Sequence, residues 1–285
     1  MQHRITIHRH GNKSGTAPGV PPTKHQRGTV SGWSPKAARR NTEFLQSVEY
    51  EGLTGLGLAF TGTVRDCPET SDDWHALRNA FVRRLKRLGL IRFHWVTEWQ
   101  RRGVPHLHGM FFFDVGDTLE DAYTVFNGII SAWTDLAAPY HANHRGIHIS
   151  QLTDAKGWAE YEAKHAARGV NHYQRCAENI PPGWKGRTGR VWGKGGDWPV
   201  QESMIMATDG PVFWRFRRLV RSWRKAHARA SGKASRIRYA RRSLKCSNAK
   251  LSAVRGTNDW MPDGTTHQLL YAASILAGGE VMQIG

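Results

Sequence analysis

The chain has 285 residues and carries 41 Lys and Arg against 23 Asp and Glu, a formal net charge of +18. That surplus predicts a polyanionic partner, nucleic acid ahead of an anionic membrane, while 39% apolar residues, with 12 Trp and 10 Phe, suffice for one sizeable domain with an extension or for two small ones. No apolar run is long enough to cross a bilayer and no secretory signal is read at the start; Cys67, Cys176 and Cys246 are far apart and form no C-x-x-C pair, which argues against a disulfide framework or a thiolate zinc site and for a reducing compartment.

Residues 1–47 read as a basic N-terminal arm. Gly11 to Gly32 is rich in Gly, Pro, Ser and Thr, and Ser34 followed by Pro35 suits the start of a short helix reaching Leu45. A wholly disordered tail is the alternative. Gly52 to Val64 alternates Leu56, Leu58 and Phe60 with small residues, a strand pattern that ends in Thr61 and Thr63. A helix is expected from Ser71 to about Leu88, acidic at its start and basic at its end, and closed by Gly89. Two strands about the Gln100–Val104 connection come next, then an amphipathic helix over Asp117–Leu136 and a short strand over Gly146–Leu152. This order is the split βαβ pattern of a ferredoxin-like α+β domain with an antiparallel sheet, placed at residues 48–200.

The two central strands carry the chemistry. Alternation puts His106 and His108 on one face, and Glu98 falls roughly across from His106 when the strands pair about the turn. Two imidazoles and a carboxylate that converge, with room left for a substrate, make a metal site of catalytic type. Paired histidines in a cleft are the plain alternative in a chain with 15 of them. On the helix expected over Ala155–Arg168, stopped by Gly169, the residues Trp158, Tyr161, Lys164, His165 and Arg168 share a face. A stripe offering a phenol, an amine and an imidazole is either functional or simply solvated.

Pro181 to Pro199 has neither helical nor strand periodicity. Trp184, Trp192 and Trp198 interleave there with Lys185, Arg187, Arg190 and Lys194, which fits the stacking of single-stranded bases or a loop that packs its tryptophans. Residues 201–285 read as a basic, mainly helical C-terminal extension. Pro211 to Gly256 has no Asp or Glu; one helix begins at Phe213 and reaches Lys225, Gly232 breaks it, and a second covers Ala234–Lys245. Nucleic acid and a membrane surface are both open as partners of these helices. A nearly neutral tail is expected from Asn258, and no P-loop sequence is present.

Three segments, in order, carry a family resemblance. Leu58–Thr63 resembles the first motif of rolling-circle replication initiators. Pro105–Phe112, with Glu98 upstream as a third ligand, is similar to their His-hydrophobe-His motif, and Trp158–Lys164 resembles their Tyr-x-x-Lys motif. Together these resemble the HUH endonucleases; Gly32–Ser34, Glu98–Gly103 and Tyr173–Gly193 are most similar to the replication initiators of filamentous-bacteriophage type. The resemblance spans roughly residues 30–200. It departs at Gly62, where a bulkier residue is usual, and at His165, where two-tyrosine members carry their second tyrosine. A single-tyrosine enzyme follows, with Tyr173 as the second candidate.

The resemblance implies an HUH endonuclease core that nicks single-stranded DNA at a replication origin and later joins strands. Tyr161 would form a 5′-phosphotyrosyl intermediate and leave a free 3′-hydroxyl, assisted by Lys164. Mg²⁺ or Mn²⁺ would sit on Glu98, His106 and His108. DNA contacts are expected from Thr61, Arg101, Arg102, His165, Arg168, Lys185, Arg187, Arg190, Trp192 and Lys194. Host helicase and polymerase are the expected partners, the membrane is not, and the expected place of action is the cytoplasm of a bacterial host. A transposase or mobilisation relaxase of the same superfamily, or a non-catalytic module binding single-stranded nucleic acid, are the alternative readings.

Overall fold

A computed structural model describes residues 2–17, 29–116, 118–160, 173–245 and 259–284. It is a mixed α+β structure with two five-stranded antiparallel sheets. The chain divides into two compact units: a central one, residues 27–41 and 50–199, and a terminal one, residues 1–26, 42–49 and 200–285.

The chain opens with a hairpin, β1 (Gln2–His8) and β2 (Gly11–Ala17), followed by helix α1 (Pro35–Ser47). Then come β3 (Leu56–Thr63), α2 (Ser71–Lys86), β4 (Leu90–Trp99), β5 (Pro105–Phe113), α3 (Leu119–Leu136) and β6 (Ile147–Gln151). These six have the order expected from periodicity. In the central sheet the strands lie β6-β3-β5-β4, with β7 (Trp192–Gly196) outside β4. β5 therefore splits the pair joined through α2, and every neighbour is antiparallel.

Local chemistry explains these elements. Thr70 and Asp73 form a reciprocal capping box that starts α2, and Gly89, at φ 89°, turns the chain into β4. Trp74, Leu77, Phe81 and Leu85 of α2 form its buried stripe, joined by Val125, Ile129 and Trp133 of α3. They cover the face of the sheet that carries Leu58, Phe60, Phe111 and Phe113. The rings of Phe60, Phe81, Phe111 and Trp133 meet at centroid separations of 5.0 to 6.0 Å. Packing also accounts for Gly62: a Cβ there would lie 2.6 Å from the Phe60 ring and 2.7 Å from that of Trp133.

Two sequence expectations change here. Pro181–Pro199 does contain a strand, β7, whose alternation is hidden because its partner supplies the bulk. A Cβ on Gly193 would fall 2.8 Å from the Trp95 ring and one on Gly195 2.5 Å from that of Phe93, so these glycines admit the aromatics of β4. Residues 2–17, expected as an arm, are paired strands. They join β8 (Met204–Thr208), β9 (Asp259–Trp260) and β10 (Val281–Gln283) in the terminal sheet, ordered β10-β8-β1-β2-β9.

The terminal unit also holds α4 (Gly210–Ala230), α5 (Ala234–Lys245) and α6 (Asp263–Ala277). The first two are the basic helices expected; α6 with its flanking strands stands where a neutral tail was expected. Asp209 caps α4 by accepting from the Val212 amide at 2.8 Å. Its Val212, Phe213, Phe216 and Val220 pack with Ile5 and Ile7 of β1 and with Leu270 and Ala273 of α6. Among the described residues no helix is long and apolar enough to cross a membrane.

Candidate metal centre

Alternation along β4 gives the central sheet two chemically different faces. Phe93, Trp95 and Trp99 point towards α2 and its surroundings: Arg78 of α2 lies 3.8 Å above the Trp95 ring, and the Trp74 indole donates to Thr97 Oγ1 at 3.1 Å. His94 and Glu98 point the other way. In register, Glu98 is directly opposite His106, while His108 is opposite Thr61 of β3. The Gln100–Val104 turn that fixes this register is closed by the Gln100 amide donating to Val104 O at 2.8 Å, with Gly103 at φ 70°.

One ligand atom each from Glu98, His106 and His108 lie within 4.8 Å of one another. His108 Nε2 is 3.2 Å from His106 Nε2 and 3.6 Å from Glu98 Oε2; His106 Nε2 is 4.0 Å from the same oxygen. Atoms each about 2.1 Å from one ion would be about 3–3.5 Å apart, so this donor set fits a divalent cation with little adjustment. Thr61 Oγ1 sits 2.8 Å from His108 Nδ1, which occupies that nitrogen and leaves Nε2 facing the cluster. Gln174 Nε2 lies 3.4 Å from His106 Nε2.

Glu98 is 1% exposed, and a carboxylate so deep needs a partner. Arg175, equally buried, donates from Nε to Glu98 Oε1 at 2.5 Å. Oε2 is thereby left for the imidazoles. The arginine is itself held: its guanidinium carbon lies 4.0 Å above the Trp33 ring, whose indole N–H donates to Thr97 O at 2.8 Å. The Trp99 amide donates to Gln174 O at 2.7 Å, fastening the segment before Arg175 to β4. These three groups could therefore hold a metal ion on a rigid sheet face, with a cation behind the carboxylate.

The family model of the ORF2-type replication-associated proteins matches residues 57–175. The replication-associated protein of Pseudomonas phage Pf3 is 50% identical over 266 residues, covering 92% of this chain and 94% of that protein. The chain belongs to this replication-associated protein family. A putative replication protein of Xylella fastidiosa strain 9a5c is also 50% identical, over 90% of this chain and 92% of that protein, and one from strain Temecula1 is 48% identical over 90% and 98%. No solved structure matches the chain. The role of this replication-associated protein lies in DNA replication, and the family match spans Thr61, Glu98, His106, His108 and, at its last position, Arg175.

The other residues singled out in the sequence of this replication-associated protein fall into three groups. Tyr161, Lys164, His165 and Arg168 lie outside the described residues; residues 155–160, leading to them, are helical. Lys185, Arg187, Arg190 and Lys194 are exposed, with Arg187 paired to Asp72 at 2.8 Å, and Trp192 is half-buried. Tyr173 is exposed beneath Arg101, whose guanidinium carbon is 4.9 Å from the ring centroid. Arg102 is occupied structurally: it donates to Arg65 O, Val64 O and Gln100 Oε1, tying the turn to the end of β3. Trp184 and Trp198 are core residues, their indoles donating to Pro68 O and Gly195 O.

Sequence reasoning passed over Arg175, Gln174 and Trp33 as parts of the site. The one available signal was that a buried Glu98 demands a buried cation, but with 41 Lys and Arg in the chain that demand names no residue. His94, also on the cluster's face of β4, is fully buried against Asn41 Oδ1 at 2.6 Å. Burial, with Arg175 and Lys194 adding, pushes its pKa down to about 3, so it is a neutral imidazole.

Proposed function

We propose that this protein initiates rolling-circle replication by nicking one DNA strand at an origin, with Tyr161 as nucleophile. The observation that carries the reading is the Glu98–His106–His108 cluster on a sheet face, within a replication-family chain that places a Tyr-x-x-Lys sequence, Tyr161 to Lys164, downstream. A phenol with a pKa of ~10 is a weak nucleophile at neutral pH and needs an activated phosphate. Glu98, His106 and His108 would hold a divalent cation, which would supply that activation by neutralising charge on the scissile phosphate. Two imidazoles beside one carboxylate suit Mn²⁺ as well as Mg²⁺.

The chain's own residues do the rest. Tyr161 gives its phenolic proton to solvent and attacks phosphorus; the bond to the 3′ oxygen breaks and that oxygen takes up a proton from solvent, leaving a free 3′-hydroxyl and a 5′-phosphotyrosyl enzyme. That covalent bond conserves the energy of the cleaved one for later strand joining. The Lys164 ammonium stabilises the charge that develops on phosphate oxygens. Thr61 keeps His108 turned towards the cluster, and Arg175 keeps Glu98 in place. The exposed Lys185, Arg187, Arg190 and Lys194 hold the strand electrostatically, so affinity falls steeply with salt. Host helicase and polymerase supply unwinding and synthesis.

The test is incubation of purified protein with single-stranded origin-region oligonucleotides and Mn²⁺, followed by denaturing electrophoresis. A covalent protein–DNA product mapping to the Tyr161 peptide is expected. It should vanish in Tyr161→Phe and on chelation with EDTA. Undiminished product in the variant moves the nucleophile to Tyr173; nicking without metal removes the ligand role of Glu98, His106 and His108.

A further inference from the structure

The outer side of α4 carries a tryptophan that its fold does not use. The buried positions of this helix are Val212, Phe213, Phe216, Val220 and Ala228, and Trp214 lies off that stripe, 50% exposed. The indole is nevertheless held in a defined pose. Phe213 meets it edge-on at 5.1 Å, His3 at 6.2 Å, and the Arg217 guanidinium carbon lies 5.1 Å from its centroid. Beside it opens a cleft of about 540 Å³, lined by Pro211, Trp214, Arg215 and Arg218 of α4 and by Leu276 and Ala277 at the end of α6.

The chemistry of this cleft is specific. Its walls offer one aromatic plane, three aliphatic side chains and two guanidinium groups, and no carboxylate lines it. Among the described residues neither Arg215 nor Arg218 has an ion-pair partner, and Arg215 Nε is buried with no hydrogen bond. The volume is that of a small-ligand pocket. A base has a π-face for the indole, and its phosphates have charge for the arginines. A lipid surface fits less well, because the apolar stripe that would enter it is already spent on Ile5, Ile7 and Leu270 in the core.

We propose that Trp214, Arg215 and Arg218 form a nucleotide-binding cleft for single-stranded DNA in the terminal unit, a base stacking on the indole and phosphates bound by the arginines. The proposal rests on the reading of single-stranded DNA as this protein's ligand, and not on the nicking chemistry. It gives the strand an anchorage additional to the basic residues between Pro181 and Pro199.

The test is fluorescence anisotropy of the full chain with labelled oligo(dT), which carries no origin sequence, over a series of salt concentrations. Trp214→Ala should weaken binding about tenfold, and Trp214→Phe, which keeps a ring, should restore most of it. Arg218→Gln should reduce the slope of log affinity against log salt by about 0.7. Trp214 and Arg218 are exposed, so thermal melts should be unchanged and a lost fold is excluded as the cause. Unaltered affinity and salt slope in both Trp214→Ala and Arg218→Gln would overturn the proposal. So would binding to phosphatidylglycerol vesicles that these variants lose while oligo(dT) affinity stays the same. Absence of a covalent product on origin DNA, with the Trp214 effect intact, would sink the nicking reading alone.

Discussion

The two sheets have the same number of strands and the same antiparallel pairing, yet the polar groups they bury differ. The central sheet buries a full charge, Glu98, with Arg175 closed in behind it. The terminal sheet buries neutral groups: Asn12 donates to Thr266 Oγ1 at 3.3 Å, and His8 Nδ1 is 3.2 Å from Ser47 Oγ. A buried ion pair contributes little net stability over a well-packed apolar substitute, while breaking one is severe. Neutral polar pairs specify how strands and helices dock at far lower stakes. A charge retained in the interior against that cost is what sets the central sheet apart.

The sharpest way to break this comparison is Arg175→Ala. It strands the Glu98 carboxylate in the interior, and unfolding free energy in urea should drop by about 3–5 kcal/mol. Added Mn²⁺ should recover part of that loss, because a cation at the cluster takes over the neutralisation. A variant as stable as the parent would mean that Glu98 is not carrying its charge where the fold puts it.

Acid should act on both sheets in the same direction and to different depths. His94 is pushed down to about 3, first by burial; His8 is also lowered, again chiefly by burial. Each is neutral when folded and protonates in the unfolded chain below the ordinary value near 6.5. Between the folded and unfolded pKa values the unfolded state binds more protons, so stability is full above pH 6.5 and is lost as the pH falls. Each such group contributes at most about 1.4 kcal/mol per pH unit in that window. The His94 share should go on falling towards pH 3, and melting temperature measured from pH 7 to 4 in His94→Gln should show the flatter profile. A profile unchanged in that variant would remove His94 as the cause.

Asn12→Ala probes a neutral buried pair of the terminal sheet. It removes the bond to Thr266 and should cost about 1–2 kcal/mol in thermal or urea unfolding, well below the Arg175 effect. The reverse order of these two costs would invert the contrast between the sheets.

The same contrast explains what could be seen in the sequence. The core of the central sheet was legible because its elements are consecutive and apolar on one face: Leu58 and Phe60, the Trp74–Leu85 stripe, Phe111 and Phe113. The opposition of Glu98 and His106 followed from alternation and a short turn alone. The terminal sheet was not legible, since β1 finds its partner β8 some 200 residues later and its inward residues include His8, Asn12 and Ser14, which read as polar arm. β7 was hidden by glycines that make room for Trp95 and Phe93. Arg175 was hidden because a side chain that satisfies a buried charge needs no periodicity.

The smallest expected effect isolates burial as the variable. Arg187 and Asp72 repeat the chemistry of Arg175 and Glu98 at nearly the same separation, 2.8 Å against 2.5 Å. Their side chains, however, are 71% and 65% exposed, where those of the buried pair are 0% and 1%. Water and salt screen such a pair, and its two long side chains gain little by being fixed. Arg187→Gln should therefore move unfolding free energy by no more than about 0.5 kcal/mol. If Arg187 also meets DNA phosphate, the same variant should lower the salt dependence of single-strand binding by about 0.7 in log–log slope. Stability untouched with the slope reduced would place Arg187 on the binding surface; stability lost by more than about 1 kcal/mol, the upper end for an exposed pair, would show that exposure is not what separates these two ion pairs.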